Sequence, residues 1–372
     1  MKGIGLYIHI PFCVRKCYYC DFCSFPHKEA LFDVYVDRVL NEMRAFPGEY
    51  QVETLFVGGG TPSLLPPALM DRLLSGLRER FAFSPSAECT VEMNPGTVSE
   101  ELLSVLSSRG INRVSLGVQA LQDPLLFSLG RIHTAEKALS TLEMVKRAGF
   151  PEINCDVMTE LPGQTAQDLR FTLRTLLSKG ITHLSCYALI PEEHTPLGEQ
   201  ILQGKVKKPP EEEMERMDDA LREETARFGF LRYEISNYAL PGHECRHNRD
   251  CWRRREYLGF GCAAAGFVNG ARYVNCRDLQ GYLRGEPPEK QTVSPQEARF
   301  ESVMLGLRMS EGVDLAAFEK MHGLSLEEAF GDRLLLPVRQ GLAEWAEGHY
   351  RLTDRGLDLQ NSVLLTLMGT ES

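Results

Sequence analysis

The stretch "CVRKCYYCDFCSF", residues 13–25, places four cysteines within eleven positions and decides the fold. Three of them follow a C-x3-C-x2-C spacing: Cys13, Cys17 and Cys20. The stretch comes directly after "GLYIHI" (5–10), whose apolar residues are typical of a β-strand. Thiolates that are crowded into one loop after a strand are typical of a site for a metal or an iron–sulfur cluster.

Working outward from this loop, strand candidates alternate with amphipathic helical segments over the first two thirds of the chain. The strand candidates are residues 5–10, 53–59, 88–94, 113–119, 152–158 and 183–189. Such alternation predicts an α/β fold with parallel strands joined by right-handed crossovers. Six units are fewer than the eight of a closed barrel, so a three-quarter barrel and a doubly wound sheet both fit.

Three regions are predicted along the chain. Residues 1–235 carry the strand–helix units, residues 236–290 form a linker region, and residues 291–372 form a mostly helical module. The end of the last region, 341–368, reads as helix, short hairpin and helix, which is typical of a small winged-helix-like domain.

Composition and charge restrict the partners. The net charge is −10 and no basic stripe is interrupted by aromatic residues, so nucleic acid is not an expected partner. No run of eighteen apolar residues predicts a membrane span, and the first residues lack the features of a signal peptide. Eleven cysteines without a leader argue against a disulfide framework, and we expect a cytoplasmic protein.

Polar residues gather at the carboxyl ends of the predicted strands. "GGGTP" (58–62) follows the second strand, Glu92 and Gln119 end the third and fourth, and Asp156 lies near the end of the fifth. The active sites of parallel α/β folds form at this edge because the loops after the strands converge there. We therefore expect these residues and the cysteine loop to share one site.

Two kinds of metal centre are candidates for the cysteine loop. Zinc would need a fourth ligand, and Cys23, His9 or His27 could supply it. A [4Fe–4S] cluster held by three cysteines would instead leave one iron open to a small molecule, and an open position marks a catalytic metal site.

The loop after the first strand, with the glycine-rich turn after the second, resembles the radical SAM superfamily. Within it, the motifs resemble the family of oxygen-independent coproporphyrinogen III oxidases and their relatives, the HemW heme chaperones. They occur in the expected order: "YIHIPFC", "CYYCDF", "FVGGGTPSLL", "VEMNPGT", "RVSLGVQ", "LGRIHTAEKA", "DVMTELPGQT" and "HLSCYALIPEEHTPL". The resemblance implies a partial, three-quarter parallel barrel, a [4Fe–4S] cluster and S-adenosylmethionine (SAM).

The family's functional positions carry over residue by residue. The resemblance implies that the cluster ligands are Cys13, Cys17 and Cys20. It implies contacts to SAM from Tyr7, Tyr19, Gly59, Gly60, Thr61, Glu92, Gln119, Arg131 and Asp156, with Ala188 and Ile190 as candidates for the adenine wall. Carboxylates suit an ammonium and ribose hydroxyls, and a guanidinium suits a carboxylate.

Three features favour the HemW branch. The cysteine pattern typical of the oxidases is C-x3-C-x2-C-x-C, whereas this chain has Phe22 at the fourth cysteine position. Cys23 comes one residue later and is interpreted as a residue that does not bind the cluster. The chain also starts almost at the first strand, without the N-terminal extension of the oxidases. "HNRDCW" (247–252) resembles the HNxxYW stretch of HemW proteins, in which the histidine is proposed to bind heme.

Three interpretations of "HNRDCW" stay open, because Cys251 replaces the tyrosine. His247 could ligate heme iron, Cys251 could do so as a thiolate, or Cys245 could join both in binding a metal.

The sequence thus predicts a heme chaperone that binds a [4Fe–4S] cluster and SAM and transfers heme to apo-hemoproteins. The resemblance also suggests a homodimer and a membrane-associated recipient. The alternative is an oxygen-independent coproporphyrinogen III oxidase, which would use a radical made from SAM to decarboxylate propionates to vinyl groups in porphyrin biosynthesis. A radical SAM enzyme with another substrate is the third interpretation.

Overall fold

The structure is a computed structural model that describes residues 1–369. Its centre is a curved sheet whose six predicted strands are all present and parallel. They are β1 (Lys2–Ile10), β2 (Tyr50–Gly59), β3 (Ala82–Met93), β4 (Arg113–Gln119), β5 (Glu152–Thr159) and β6 (His183–Ala188). They lie side by side in chain order, which confirms the predicted α/β fold with a partial parallel barrel.

Helices connect the strands and cover the outer face of the sheet. They are α1 (Phe32–Ala45), α2 (Pro67–Arg80), α3 (Glu100–Ser108), α4 (Asp123–Ser128), α5 (Ala135–Arg147), α6 (Ala166–Leu177), α7 (Pro196–Leu202) and α8 (Glu211–Arg227). Their apolar sides are buried against the strands; Val36, Val39 and Met43 of α1, for example, have no exposed surface. Apolar area buried between layers stabilises a fold. The packed helices therefore fix the strands and, with them, the loops that follow the carboxyl ends of the strands.

Residues 236–290 extend the sheet instead of forming a linker. Their strands are β8 (Asn237–Ala239), β9 (Tyr257–Phe260), β10 (Ala265–Val268), β11 (Ala271–Val274) and β12 (Glu289–Thr292), preceded by β7 (Leu231–Arg232) and interrupted by α10 (Leu279–Arg284). Strand β8 pairs antiparallel with β6, and β9 pairs parallel with β1, so the sheet has seven parallel strands. The Gly-rich β9 is short, and Gly259 is required there because a Cβ would lie 1.8 Å from the Ala265 carbonyl oxygen.

The segment between the two sheet edges closes the amino-terminal end of the barrel. It contains α9 (Arg246–Trp252), which lies beneath the strands on the side opposite the cysteine loop. The Glu88 carboxylate accepts hydrogen bonds from the backbone N–H groups of Arg246 (3.0 Å) and His247 (2.9 Å) and pairs with Arg113 at 3.2 Å. A carboxylate at a helix amino terminus is favourable, and here it fixes α9 as the floor of the barrel.

The C-terminal module packs around an apolar core of its own, which includes Val303 and Tyr350. Its helices are α11 (Pro295–Gly306), α12 (Leu315–His322), α13 (Leu326–Phe330), α14 (Leu335–Arg339), α15 (Asp354–Asp358) and α16 (Gln360–Met368). Its strands are β13 (Val313–Asp314), β14 (Ala343–Ala346) and β15 (His349–Leu352), and the last two form the predicted hairpin. No helix within residues 1–369 is both long and apolar enough to cross a membrane.

The arginine run after α9 joins the barrel floor to this module. Arg253 donates to the Glu311 carboxylate at 2.6 Å, and Arg254 donates to Glu301 at 2.9 Å. These arginines are therefore committed to contacts within the chain.

Candidate functional site

A cavity of about 600 Å³ runs through the barrel from the cysteine loop to the floor. Most of the predicted site residues line it: Cys13, Cys17, Tyr19, Cys20, Gly59, Gly60, Thr61, Glu92, Gln119, Arg131, Asp156, Ala188 and Ile190. Segments that are far apart in sequence meet here because the carboxyl ends of β1 to β6 share one edge of the sheet.

The three cysteines face the cavity from a loop whose two ends pair as short parallel strands, Phe12–Cys13 with Phe25–Pro26. The Thr61 hydroxyl lies 3.6 Å from the Cys13 sulfur, and the Arg131 guanidinium lies 3.5 Å from the Cys17 sulfur. Burial raises the pKa of the Cys20 thiol to about 11. Thiols in such surroundings become thiolates when a metal centre binds them.

A single zinc ion and a cluster make different demands on the three cysteines. Zinc requires all of its ligand atoms within about 2.3 Å of one point and takes four ligands in a structural site. In a cluster, each thiolate binds its own iron. Cys23 does not line the cavity, and the His9 ring is engaged by Tyr7 and by the Cys23 carbonyl, so neither supplies a fourth ligand here.

The glycine turn after β2 lies against the cysteine loop so closely that side chains are excluded. A Cβ on Gly60 would lie 2.7 Å from the Phe12 carbonyl oxygen and 3.0 Å from the Cys13 sulfur. Gly59 has a φ of +117° and leaves no room for a Cβ beside the His9 ring, 2.7 Å away. The turn therefore leaves an open cradle in which backbone atoms can approach a ligand closely.

Two half-buried side chains of opposite charge type, Glu92 and Arg131, lie beside this turn. Desolvation and the nearby Asp156 raise the pKa of the Glu92 carboxyl to about 8, although it accepts a hydrogen bond from the Gly59 N–H at 3.0 Å. The Arg131 guanidinium donates to the Gly117 carbonyl at 2.6 Å, and its Nε has no partner within residues 1–369. Glu92 fits an ammonium and Arg131 fits a carboxylate, which are the two charged ends of the methionine part of SAM.

Gln119 and Asp156 project into the cavity from neighbouring strands. Gln119 has a φ of +71°, which is uncommon for a residue other than glycine, and its side chain accepts a hydrogen bond from the Tyr187 hydroxyl at 3.1 Å. Asp156 is half-buried; desolvation raises the pKa of its carboxyl, which accepts hydrogen bonds from Ser115 (3.1 Å) and Asn154 (2.7 Å).

Tyr7 lies beside the glycine turn, and its predicted contact with SAM stays a prediction. Its hydroxyl is bonded to the Nδ1 atom of His9 at 2.8 Å, and the other His9 nitrogen is bonded to the Cys23 carbonyl at 2.9 Å. Tyr7 is half-buried and pairs in register with Phe56, which lines the cavity, and through its hydroxyl it holds the His9 ring that lies against Gly59.

A polar interior that the sequence motifs do not single out lies below the predicted cofactor contacts. Inward-facing positions of β3 to β6 carry polar side chains in successive layers: Thr90, Arg113, Ser115, Asn154, His183 and Ser185. Asn154, for example, accepts a hydrogen bond from the His183 ring at 2.7 Å. Strict alternation of polar and apolar residues in "RVSLGVQ" and "EINCDVM" was the available signal, because residues two apart on a strand face the same side.

The two heme candidates lie at the barrel floor and differ in accessibility. The His247 side chain is only 5% exposed, its Nδ1 atom is bonded to the Thr54 hydroxyl at 2.9 Å, and its ring stacks on Phe56. Cys251 is partly exposed, and desolvation by its surroundings raises the pKa of its thiol to about 12. A heme iron can reach the His247 ring only when α9 moves away from the strands.

Comparisons with known proteins agree with this geometry. The chain matches the family profile of the radical SAM superfamily over residues 7–176 and the profile of the HemN C-terminal domain over residues 293–359. It is 35% identical to the heme chaperone HemW of Lactococcus lactis subsp. lactis (strain IL1403) over 366 residues, covering 97% of this chain and 96% of that protein. It is 34% identical to the heme chaperone HemW of Bacillus subtilis (strain 168), covering 98% of both chains.

A solved structure shows the same fold. Coproporphyrinogen III oxidase (HemN) from Escherichia coli, described as a radical SAM enzyme, superposes with a TM-score of 0.85 over 98% of this chain and 90% of that chain, at 24% identity. That identity supports the fold alone, whereas the full-length relatives above 30% identity establish the family. The chain therefore belongs to the radical SAM superfamily and, within it, to the HemW family.

Proposed function

We propose that this protein is a heme chaperone that holds a [4Fe–4S] cluster and SAM at the carboxyl edge of its barrel and transfers heme to apo-hemoproteins. The observation that carries the proposal is the full-length similarity to proteins named heme chaperone HemW, combined with a cavity that brings three cysteines beside the glycine turn, Glu92 and Arg131. The site is proposed to act in the cytoplasm.

Each group at the site has a defined task in this proposal. Cys13, Cys17 and Cys20 hold the cluster, which supplies one open iron and an electron-transfer centre when it is bound. Glu92 binds the ammonium of SAM and Arg131 binds its carboxylate, while the turn at Gly59 and Gly60 admits the methionine part (the remaining predicted contacts are Tyr19, Thr61, Gln119, Asp156, Ala188 and Ile190). The inward-facing polar side chains of β3 to β6 beneath them supply hydrogen-bond donors and acceptors to the lower part of the cavity.

Phe22 supports the chaperone over the oxidase. Its side chain is 65% exposed at the cavity mouth, at the position that a fourth cysteine occupies in the oxidase pattern. Ile190 is 69% exposed across the same opening. An exposed aromatic and an exposed aliphatic side chain at a rim suit contact with an apolar partner, and no thiol is available there.

His247 or Cys251 is proposed as the heme ligand, and ligation by His247 requires a movement of α9. His247 must leave Thr54 and Phe56, and the bonds from Arg246 and His247 to Glu88 must break, before its ring is accessible, whereas Cys251 is already partly exposed. A homodimer and a membrane-associated heme recipient are further proposals that rest on the family resemblance.

Turnover of coproporphyrinogen III tests the function against its nearest alternative. The reconstituted protein, with iron and sulfide content measured beforehand, is supplied anaerobically with SAM and a strong reductant, and a coproporphyrinogen III oxidase is run alongside. We expect no protoporphyrinogen from a fully loaded cluster. Its appearance would overturn the chaperone assignment and show that Phe22 does not exclude catalysis.

Variants of α9 test the proposed heme ligand. His247→Ala and Cys251→Ser are compared for heme affinity, with His194→Ala, a change of an exposed histidine, as the matched control. We expect one of the first two variants to lose affinity and the control to retain it. If neither loses affinity, the ligand lies elsewhere on the chain.

A further inference from the structure

A second group of thiols lies outside the cofactor cavity, where the segment after Cys20 meets the turn at Arg277. The thiols belong to Cys23, Cys262 and Cys276, and all three are free. The Cys23 sulfur donates to the Arg277 carbonyl oxygen at 3.4 Å, and the Cys262 sulfur lies 3.5 Å from the same oxygen. Two thiols whose residues are 239 positions apart in sequence thus meet at one carbonyl oxygen.

The two thiols differ in a way that assigns them different roles. Cys23 is partly exposed, whereas Cys262 has no exposed surface. The hydrogen bond from Cys262, together with the positive charges of Lys16 and Arg277, lowers the pKa of the Cys23 thiol to about 7. The thiolate is the nucleophilic form of cysteine, so Cys23 is the reactive and accessible member of the pair.

The third thiol is directed elsewhere. The Cys276 sulfur donates to the Asp278 carbonyl at 3.5 Å and to the Glu286 carboxylate at 3.4 Å. A metal does not explain the group, because no three Cys, His, Asp or Glu side chains in residues 1–369 are placed to bind one ion. Simple burial explains Cys262 but not the partly exposed Cys23.

We propose that Cys23 and Cys262 form a redox-active thiol pair that reacts with low-molecular-weight disulfides of the glutathione class. This site is separate from the cofactor cavity and does not depend on the proposed chaperone function. Cys23 is the attacking thiol and Cys262 is the resolving thiol.

The reaction proceeds in two thiol–disulfide exchanges. The Cys23 thiolate attacks one sulfur of the glutathione disulfide, whose S–S bond breaks, and one glutathione leaves as a thiolate that takes up the proton lost from Cys23. The Cys262 thiol then gives up its proton and attacks the Cys23 sulfur, which releases the second glutathione as a thiol. The protein pair loses two electrons and two protons, and the glutathione disulfide gains both.

The new bond would fix the segment that follows the cluster loop. The Cys23 carbonyl holds the His9 ring at 2.9 Å, and that ring lies against Gly59. Cys23 therefore supports the glycine turn through His9. Oxidation of the pair links Cys23 covalently to Cys262, beside the separate turn at Arg277.

Peptide mapping of the cluster-loaded protein tests this proposal. The holoprotein is equilibrated anaerobically in buffers of graded glutathione ratio, quenched with acid, alkylated and analysed by mass spectrometry, with iron content measured in parallel. We expect a Cys23–Cys262 linkage that increases with the disulfide fraction, while Cys276 remains alkylated and iron content stays constant. A fully loaded protein that forms no such linkage at any ratio, or that links Cys23 to Cys276, would overturn the proposal.

Variants separate the two roles. Cys262→Ala should trap glutathione on Cys23 at a level about tenfold or more above that of the wild type, because the resolving thiol is missing. Cys23→Ala should carry neither an adduct at Cys262 nor a disulfide, and Cys276→Ala should behave as the wild type. If Cys262→Ala does not fold, the comparison of wild type with Cys23→Ala decides alone, since equal glutathione uptake by the two would refute an attacking role for Cys23.

Discussion

The raised pKa of Glu92 predicts an unusual pH dependence for SAM binding. The Glu92 carboxyl has a pKa of about 8 in the free protein, because burial and Asp156 disfavour its charge. The amino group of the ligand titrates near the same pH, at about 8. Binding pairs an ionised Glu92 with a protonated amine, so below pH 8 each binding event releases a proton from Glu92 and above pH 8 it takes one up at the amine.

The magnitude follows from the charged fractions. At pH 8 about half of Glu92 and about half of the amine carry the required charge, whereas at pH 6 only about 1% of Glu92 is ionised and nearly all of the amine is protonated. SAM should therefore bind about 25-fold more weakly at pH 6 than at pH 8. A glutamate with an ordinary pKa would give the opposite sign, about twofold tighter binding at pH 6.

Titration calorimetry on the cluster-loaded protein, without a reductant so that SAM is not cleaved, measures this dependence between pH 6 and pH 9. Glu92→Gln should abolish the weakening at pH 6. Asp156→Asn should move the profile to lower pH without removing it, because the loss of the Asp156 charge lowers the pKa of Glu92. Equal or tighter binding at pH 6 in the wild type would refute the proposed role of Glu92.

Three further changes test other parts of the structure. Gly60→Ala places a Cβ 2.7 Å from the Phe12 carbonyl oxygen, so the iron bound per chain after reconstitution should fall; full iron loading would contradict the close approach of the two loops. Arg131→Met removes the cation proposed for the ligand carboxylate, and the Kd for SAM should rise about tenfold or more; an unchanged Kd at full iron content would place the carboxylate elsewhere. Glu88→Gln removes the closer of the two carboxylates that pair with the buried Arg113 and leaves only Glu152, at 3.6 Å, so it should lower the free energy of unfolding by about 2 kcal/mol in urea titrations, whereas a loss below about 0.5 kcal/mol would show that Glu88 does not hold α9.

Much of the fold and of the cofactor site could be predicted because their signals are local in sequence. The spacing from Cys13 to Cys20, the apolar strands and the polar residue at each strand end can be read within short windows. Parallel topology then brings Glu92, Gln119 and Asp156 to one edge.

The remaining features depend on contacts between distant residues. His247 is bonded to Thr54 across 193 positions, and β9 pairs with β1 through residues such as Tyr257 and Gly5, which are 252 positions apart. Neither "HNRDCW" nor "YLGF" contains a signal for its partner, so the sequence predicts neither the burial of His247 nor the strand β9, which falls in the predicted linker region. The proximity of Cys23 and Cys262 could not be predicted for the same reason, because the two residues are far apart in sequence.

Heme transfer to an apo-hemoprotein tests the central claim most directly. The cluster-loaded protein is charged with heme, freed of excess heme by gel filtration and mixed with an apo-globin, and transfer is followed by the absorbance of the reconstituted globin. The proposed function predicts stoichiometric heme binding and transfer faster than release into buffer, as measured with a non-protein heme trap. Failure to bind heme, or transfer no faster than that release, would contradict it.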